Sequence, residues 1–227
     1  MTTLDEGSKI TSAFSAISDE DALGYLNRYF GKAEWTGKEF TGAHFEGLGT
    51  PEPKRVTAED MVAVACLSIH VPARAAMSVL EKQREKISAH LDGIPNGVAL
   101  EEVPFDEHDK YFGDDSSAHS LWWLLRSHHG VGATTASKIM ARKRPALIPI
   151  YDSVVGKATG FANADGTWRA WHHAFTTDTA FTSRLHFLRS AAGLERVSLL
   201  RILDVTLWMH GTHGVGEQER VGDTEEA

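Results

Sequence analysis

Two glycines between two apolar helical patterns constrain this chain more than any other feature. Gly130 and Gly132 permit a tight turn, because glycine adopts positive φ and lets another backbone approach closely. Leucines recur at helical spacing before the turn, and Ala136 and Ile139 continue the same period after it. The sequence therefore predicts a helical hairpin over residues 121–144.

The start of the second helix of this hairpin is a candidate phosphate site. The first N–H groups of a helix have no intrahelical partner, and the helix dipole is positive there, so an anion is a favourable neighbour. Gly130, Gly132 and Thr134 surround this end, and His129 adds a hydrogen-bond donor before it. We expect these four residues to contact the phosphates of DNA.

Basic residues cluster toward the other end of the second helix, which Pro145 ends. Lys138 is followed by Arg142, Lys143 and Arg144, and no acidic residue occurs between Arg126 and Pro149. Two interpretations stand side by side. The cations contact DNA phosphates, or they are solvated and stabilise the negative end of the helix dipole.

The hairpin and the residues after it resemble the helix-hairpin-helix DNA glycosylase superfamily. The similarity covers Leu125, the glycine turn and Thr135-Ala136, and it ends at Asp152, which follows the apolar run 147–150. The resemblance implies that Asp152 supports cleavage of the bond between base and sugar. Thr134 stands where relatives that also cut the backbone have a lysine, which implies that lyase activity is absent. Cys66 is the single cysteine, so the four-cysteine iron–sulfur cluster of some relatives cannot form.

Over nearly its whole length the chain is more similar to an uncharacterised bacterial family that is common in actinobacteria. Residues 41–46, 57–67 and 136–145, with 148–152, carry this resemblance. It implies no activity. It does imply that the hairpin and Asp152 belong to one full-length domain.

Length and charge limit the alternatives. A chain of 227 residues can bury one substantial core. Its net charge of −8 disfavours simple coating of DNA, because backbone binding depends on clustered cations. The first residues lack the features of a signal peptide, and no apolar run approaches the ~20 residues of a membrane span. We therefore expect a cytoplasmic protein without a membrane partner.

The rest of the chain predicts an all-α fold. Helix-start signals occur at Ser18 and Thr57, and apolar residues then recur at helical spacing. Residues 18–211 are predicted to form one glycosylase-like helical domain that allows a division into two lobes, with an acidic, turn-rich linker over 95–117. Residues 1–17 are predicted to be flexible and 212–227 to be a disordered acidic tail.

No metal or cofactor is expected from the sequence. The adjacent pairs His128-His129 and His172-His173 lack the i, i+4 spacing of a helical zinc site. The carboxylates of 95–117 lack the pattern of a calcium loop.

Three functions remain open. The first is a module that contacts the DNA backbone through the hairpin. The second is a monofunctional DNA N-glycosylase that uses Asp152, although this carboxylate also suits a cap for a helix over 153–158. The third is a glycosylase-like scaffold that serves a protein or small-molecule partner.

Overall fold

The computed structural model describes residues 4–31 and 40–214, and within them it contains helices and turns but no strand. The predicted all-α class is confirmed. The α-helices of the described residues are α1 (Leu4–Ser15), α2 (Asp19–Tyr29), α3 (Ala58–Ala65), α4 (Ala73–Met77), α5 (Arg84–Asp92), α6 (His108–Phe112), α7 (Ser117–Arg126), α8 (Ala133–Lys143), α9 (Ser153–Ala158), α10 (Thr167–Thr177), α11 (Thr179–Ala191) and α12 (Leu199–Met209).

The predicted hairpin is formed by α7, a short turn and α8. Helix α8 lies deep in the molecule, and Ala136, Ile139 and Met140 are almost fully buried. It packs against α3 on one side and α7 on another. The apolar period around the glycines thus reflects a central helix and its surface partner.

The helices pack in two groups that share one hydrophobic core. Helices α3, α5, α7 and α8 form one group, whereas α1, α2, α10, α11 and α12 form the other. Helix α9, which follows Asp152, packs against α12. The chain after the hairpin therefore passes from the first group to the second.

The predicted helix starts at Ser18 and Thr57 are present. The Ser18 hydroxyl accepts from the N–H of Asp21 at 3.0 Å. The Thr57 N–H donates to the Asp60 carboxylate at 2.9 Å, which completes a capping box. Both signals are local in sequence, so they need no knowledge of the tertiary fold.

The prediction of a flexible segment over 1–17 is wrong from residue 4 onward. Helix α1 occupies this segment and packs against α10, with Ile10, Phe14 and Ile17 buried. These residues follow the spacing of one helix face. At the other end, the π-helical turn His210–Gly214 includes the first three residues of the predicted tail. Residues 215–227, like Trp35, lie outside the described residues.

The prediction of a linker over 95–117 is also wrong. Leu100, Val103 and Phe112 of this segment are buried in the shared core. Two 3₁₀ turns, Leu100–Glu102 and Phe105–Glu107, and helix α6 bring them there. Because turns this short have no sustained period, the acidic residues between them dominate the sequence pattern.

The two glycines of the turn differ in backbone conformation and in how closely other atoms approach them. Gly130 adopts φ +80°, and a Cβ there would lie 2.7 Å from Cγ of Pro72. Gly132 has an ordinary extended backbone with φ −89°, and apart from its two chain neighbours no described residue has an atom within 4 Å of the position of its Cβ. Only Gly130 is therefore required by the fold itself.

We expect Gly130→Ala to lower the free energy of unfolding by about 1–3 kcal/mol, because it combines a disfavoured φ with a clash against Pro72. Gly132→Ala is the matched control and should change it by less than about 1 kcal/mol. Urea denaturation of both variants checks this difference. Equal losses would contradict it.

Candidate functional site

A cavity of about 400 Å³ lies where the two helix groups meet. Its walls come from α2, the 3₁₀ turn Thr41–His44, the segment after α3, the starts of α8 and α9, and α12. Thr134, Lys138 and Asp152 all line it. The structure thus brings one predicted catalytic residue and two predicted DNA contacts into one cavity.

Asp152 is held at the cavity wall by both of its carboxylate oxygens. Oδ1 accepts from the N–H of Val154 at 2.9 Å, so Asp152 caps α9 as the sequence predicts. Oδ2 accepts from Nζ of Lys138 at 3.0 Å. The Asp152 side chain is 14% exposed, so this carboxylate is oriented by the protein and still reaches the cavity.

Lys138 faces the cavity rather than the protein surface. It lies one helical turn after Thr134, and its side chain is 7% exposed. Nζ donates to Asp152 and, at 3.3 Å, to the carbonyl of Leu67. An ammonium has three donors, so one remains for a molecule in the cavity.

Arg142 differs from the predicted surface cation. Its guanidinium bonds to the Asp60 carboxylate at 3.0 Å and to the carbonyls of Phe45 at 2.7 Å and Glu46 at 2.6 Å. Lys143 bonds to the other Asp60 oxygen at 2.5 Å. Because the Arg142 side chain is only 6% exposed, these contacts leave it turned away from solvent.

Arg144 is turned inward in the same way. Its N–H groups donate to the carbonyls of Ile94 at 2.8 Å and Pro53 at 2.9 Å, and also to that of Leu91. The expected basic face at the end of α8 is therefore replaced by an internal cluster. The cations turn inward because backbone carbonyls and the buried Asp60 carboxylate need hydrogen-bond donors once they are removed from water.

The turn itself is open to solvent. His129, Gly130 and Gly132 are exposed, and Thr134 is partly buried at the cavity edge. No side chain in the described part of the chain caps the start of α8. Its first N–H groups therefore lack the partner that a capping side chain supplies to most helices.

A buried polar cluster next to the cavity was not anticipated from the sequence. Arg201 forms an ion pair with Asp204 at 2.5 Å and donates to the Tyr29 hydroxyl at 2.6 Å and the Gly42 carbonyl at 3.2 Å. Glu46 lies beside it and accepts from the Ser198 hydroxyl at 3.5 Å. The available signal was Arg201 and Asp204, the two charged residues of the largely apolar α12, three positions apart.

Burial shifts the titration of the acids in this cluster. Burial raises the pKa of Glu46 to about 7, with the attraction of Arg201 opposing the rise. Burial also raises the pKa of Asp204, against the same attraction, and the negative charge of Asp152 adds to the increase. Burial thus favours the protonated form of both acids, of which Asp204 lines the cavity.

One wall of the cavity is aromatic. The rings of Tyr29 and Phe40 are stacked with centroids 5.2 Å apart and planes 6° apart, and the Trp208 ring meets both edge-on. Ser68 on another wall has φ 58°, a left-handed conformation that is costly for a residue with a Cβ. A surface for aromatic stacking and several polar groups thus line the same cavity.

Two histidines, His108 and His172, form a buried contact between helices α6 and α10. His108 and His172 share a hydrogen bond between their Nδ1 atoms at 2.9 Å, and Nε2 of His172 bonds to the Val103 carbonyl at 2.7 Å. Burial lowers the pKa of His108 to about 4, which keeps the ring neutral at pH 7. Within residues 4–31 and 40–214, no group of three or more candidate ligands could hold a metal ion.

No helix in the part of the chain that the structure describes is both long and apolar enough to cross a membrane.

Comparison with known proteins identifies the family. A model of the DUF6308 family, described as a family of unknown function, matches residues 22–211. The chain belongs to this family. The DUF6308 match covers α3 to α12, so it includes the hairpin, Asp152 and the walls of the cavity. No curated protein matches the chain, and no solved structure does.

We expect the stability of the wild-type protein to fall relative to Glu46→Gln as pH rises from 4.5 to about 7. Across this range the unfolded chain loses the Glu46 proton while the folded chain largely keeps it, so the folded state loses about 3 kcal/mol of relative stability. Urea denaturation at several pH values measures the difference. Parallel pH curves for the two proteins would contradict the raised pKa.

Proposed function

We propose that this protein binds a DNA strand at the hairpin turn, takes an unstacked base into the cavity and cleaves the bond between base and sugar. One observation carries the proposal. The Asp152 carboxylate is fixed on the wall of a 400 Å³ cavity, on the segment that follows the hairpin, 3.0 Å from Lys138 of α8. A carboxylate in that place suits a reaction that develops positive charge on a sugar.

The chemistry follows from charge. As the base departs with the bonding electrons, the sugar becomes cationic, and a fixed negative charge nearby stabilises that transition state. The two hydrogen bonds of Asp152 fix its position before the reaction. A water molecule beside the carboxylate then supplies the oxygen that attacks the sugar, and Asp152 orients it or accepts its proton.

The proposal includes no Schiff base. Lys138 lies in the cavity, but an ammonium engaged in an ion pair has no lone pair for attack on a sugar carbon. Thr134, one turn earlier on α8, has no amine at all. We therefore expect base release without strand cleavage by the protein.

The size and lining of the cavity suit an aromatic heterocycle. Ligand sites typically enclose ~300–1,000 Å³, and enzymes that act on bases hold the flipped base by stacking and by hydrogen bonds to its edge. Tyr29, Phe40 and Trp208 supply the stacking surface. The Asp204 carboxylate and the spare donor of Lys138 supply polar groups near it.

The geometry of Gly132 supports backbone contact at the turn. Neither its φ nor its surroundings within the protein require a glycine. Serine or aspartate would cap α8 better. A glycine at an open helix start is what close approach of a phosphate to the first N–H groups requires.

Backbone binding without chemistry is the second candidate. The observation that favours it is the exposure of His129, Gly130 and Gly132, which does not depend on the cavity. In that case Asp152 serves only as the cap of α9 and the partner of Lys138. The two candidates share the hairpin and differ in the role of one carboxylate.

We expect Asp152→Asn to reduce base release by about 10²-fold or more while DNA binding persists, because the variant keeps a capping oxygen and loses the charge. The matched control is Asp178→Asn, which removes the charge from the cap of α11, where the carboxylate accepts from Phe181 at 2.9 Å. It should leave base release unchanged. The assay measures free base from duplexes that contain a panel of damaged bases.

Three results would decide between the candidates. Loss of release only in Asp152→Asn supports the enzyme. Binding without any release by the wild-type protein supports the backbone-binding module. Neither binding nor release at low salt favours the third reading, a scaffold that holds another ligand or a protein partner.

We expect Gly132→Ala to weaken DNA binding about tenfold without unfolding the protein, because the added methyl group stands between the first N–H groups of α8 and a phosphate. Gly47→Ala is the control, since Gly47 also has no neighbour within 4 Å of its Cβ position and lies outside the hairpin. Fluorescence anisotropy with a labelled duplex measures both affinities. Unchanged affinity in Gly132→Ala would remove the turn from the interface.

A further inference from the structure

A second groove, of about 440 Å³, lies on the outer side of the hairpin turn. One wall is the helical segment that starts after Pro72, and the other is the end of α7 with the turn. The polar residues that face each other across it are Arg74, Ser78 and Lys82 on the first wall and Ser127, His128 and His129 on the second. This groove is separate from the cavity that contains Asp152.

The backbone on both sides fixes the shape of the groove. Pro72 packs so closely on Gly130 that no Cβ fits between them. Beyond Pro72 the chain forms α4 and then the π-helical turn Ser78–Lys82 before α5. Arg74, Ser78 and Lys82 follow one another at intervals of four residues, which brings them to one side of a helical segment.

The groove has positive charge that nothing in the described protein neutralises. Arg74 and Lys82 are exposed, and neither forms an ion pair with any residue of 4–31 or 40–214. Among the residues whose placement the structure gives, no carboxylate lines the groove, although Glu81 lies beside Lys82 in sequence. By contrast, Lys138, Arg142 and Arg144 are already occupied inside the protein.

Two polar atoms of the groove residues lack partners. His128 bonds through Nδ1 to the Leu124 carbonyl at 3.1 Å, but neither its Nε2 nor Oε1 of Gln83 has a hydrogen-bond partner within residues 4–31 and 40–214. Both residues line the groove, and both atoms are buried. Unsatisfied buried polar atoms are uncommon in native proteins and call for a specific explanation. Oε1 of Gln83 is an acceptor, and so is Nε2 of a neutral His128 whose Nδ1–H donates to a carbonyl. These atoms therefore suit a water molecule that bridges to a phosphate rather than the phosphate oxygen itself.

We propose that this groove binds the phosphodiester backbone of the DNA strand, with Arg74 and Lys82 each neutralising a phosphate. The inference rests on the proposed function in one respect, since the strand is the one that meets the hairpin turn. Eight helical residues separate the two cations by roughly 12 Å along the helix axis, so their side chains reach two different phosphates of one strand. Arginine and lysine are the usual donors to phosphate oxygens.

This groove also explains how an acidic protein holds a polyanion. The net charge is −8, so attraction over the whole surface is unfavourable. A short row of unpaired cations next to the open start of α8 concentrates positive potential at one place. Binding is then confined to the hairpin side of the molecule.

The test is the salt dependence of DNA binding by the double variant Arg74→Ala/Lys82→Ala. Each phosphate contact contributes about 0.9 to the slope of log K against log salt, so this variant should reduce the slope by about 2 and the affinity at low salt by about tenfold or more. Arg84→Ala/Lys86→Ala is the matched control. It removes one arginine and one lysine that are exposed on the adjacent α5 and do not line the groove.

The outcomes separate the groove from the proposed function. A wild-type slope in the groove variant, with DNA binding intact, overturns the groove and leaves the hairpin. An equal reduction in both double variants also overturns it, because the effect is then one of total charge. A reduced slope in the groove variant alone, with base release unaffected by Asp152→Asn, supports the groove and overturns the catalytic proposal.

Two further results concern the identity of the ligand. Absence of DNA binding by the wild-type protein at low salt overturns both proposals. A poly-glutamate peptide that binds as tightly as DNA, and loses affinity in the groove variant, overturns the assignment to nucleic acid. Urea denaturation of each variant shows that the folded protein is compared throughout.

Discussion

The contact between Asp60 and the basic end of α8 determines the position of nearly everything described above. Asp60 meets Arg142 and Lys143 inside the protein, and breaking such a buried pair typically costs about 3–5 kcal/mol. Loop carbonyls complete the hydrogen bonding of Arg142 and Arg144. This contact anchors the C-terminal end of α8 inside the protein. The N-terminal end of the helix then lies at the surface, where the turn is open, and the middle of the helix places Lys138 at the cavity.

The inward cations also change how the charge of the chain should be understood. Lys138, Lys143, Arg144 and Arg201 are buried, as is the Arg142 side chain. Three carboxylates, those of Asp60, Asp152 and Asp204, are turned inward with these five cations. The surface is therefore about two charges more acidic than the net charge of −8 indicates. On such a surface, an unpaired arginine and lysine that share one groove are conspicuous, whereas on a basic protein they would not be.

Local signals made part of this structure predictable. The glycine turn, the Thr57 capping box and the cap at Asp152 each depend on residues that are close in sequence, and each is present. The inward orientation of Arg142 and Arg144 could not be predicted in this way, because most of their partners lie about 50 to 97 residues away. Helix α1 had a readable apolar stripe, in Ile10, Phe14 and Ile17, that its position near the terminus obscured.

The walls of the cavity come from segments near residues 29, 68, 138 and 204, which meet only when the chain is fully folded. Any ligand of the cavity therefore binds the native state only, because the unfolded chain has no such cavity. By mass action, a ligand at a hundred times its dissociation constant would add about 2.7 kcal/mol to the native state. Resistance to heating thus becomes a direct way to recognise the natural occupant among candidate bases, nucleosides and unrelated metabolites.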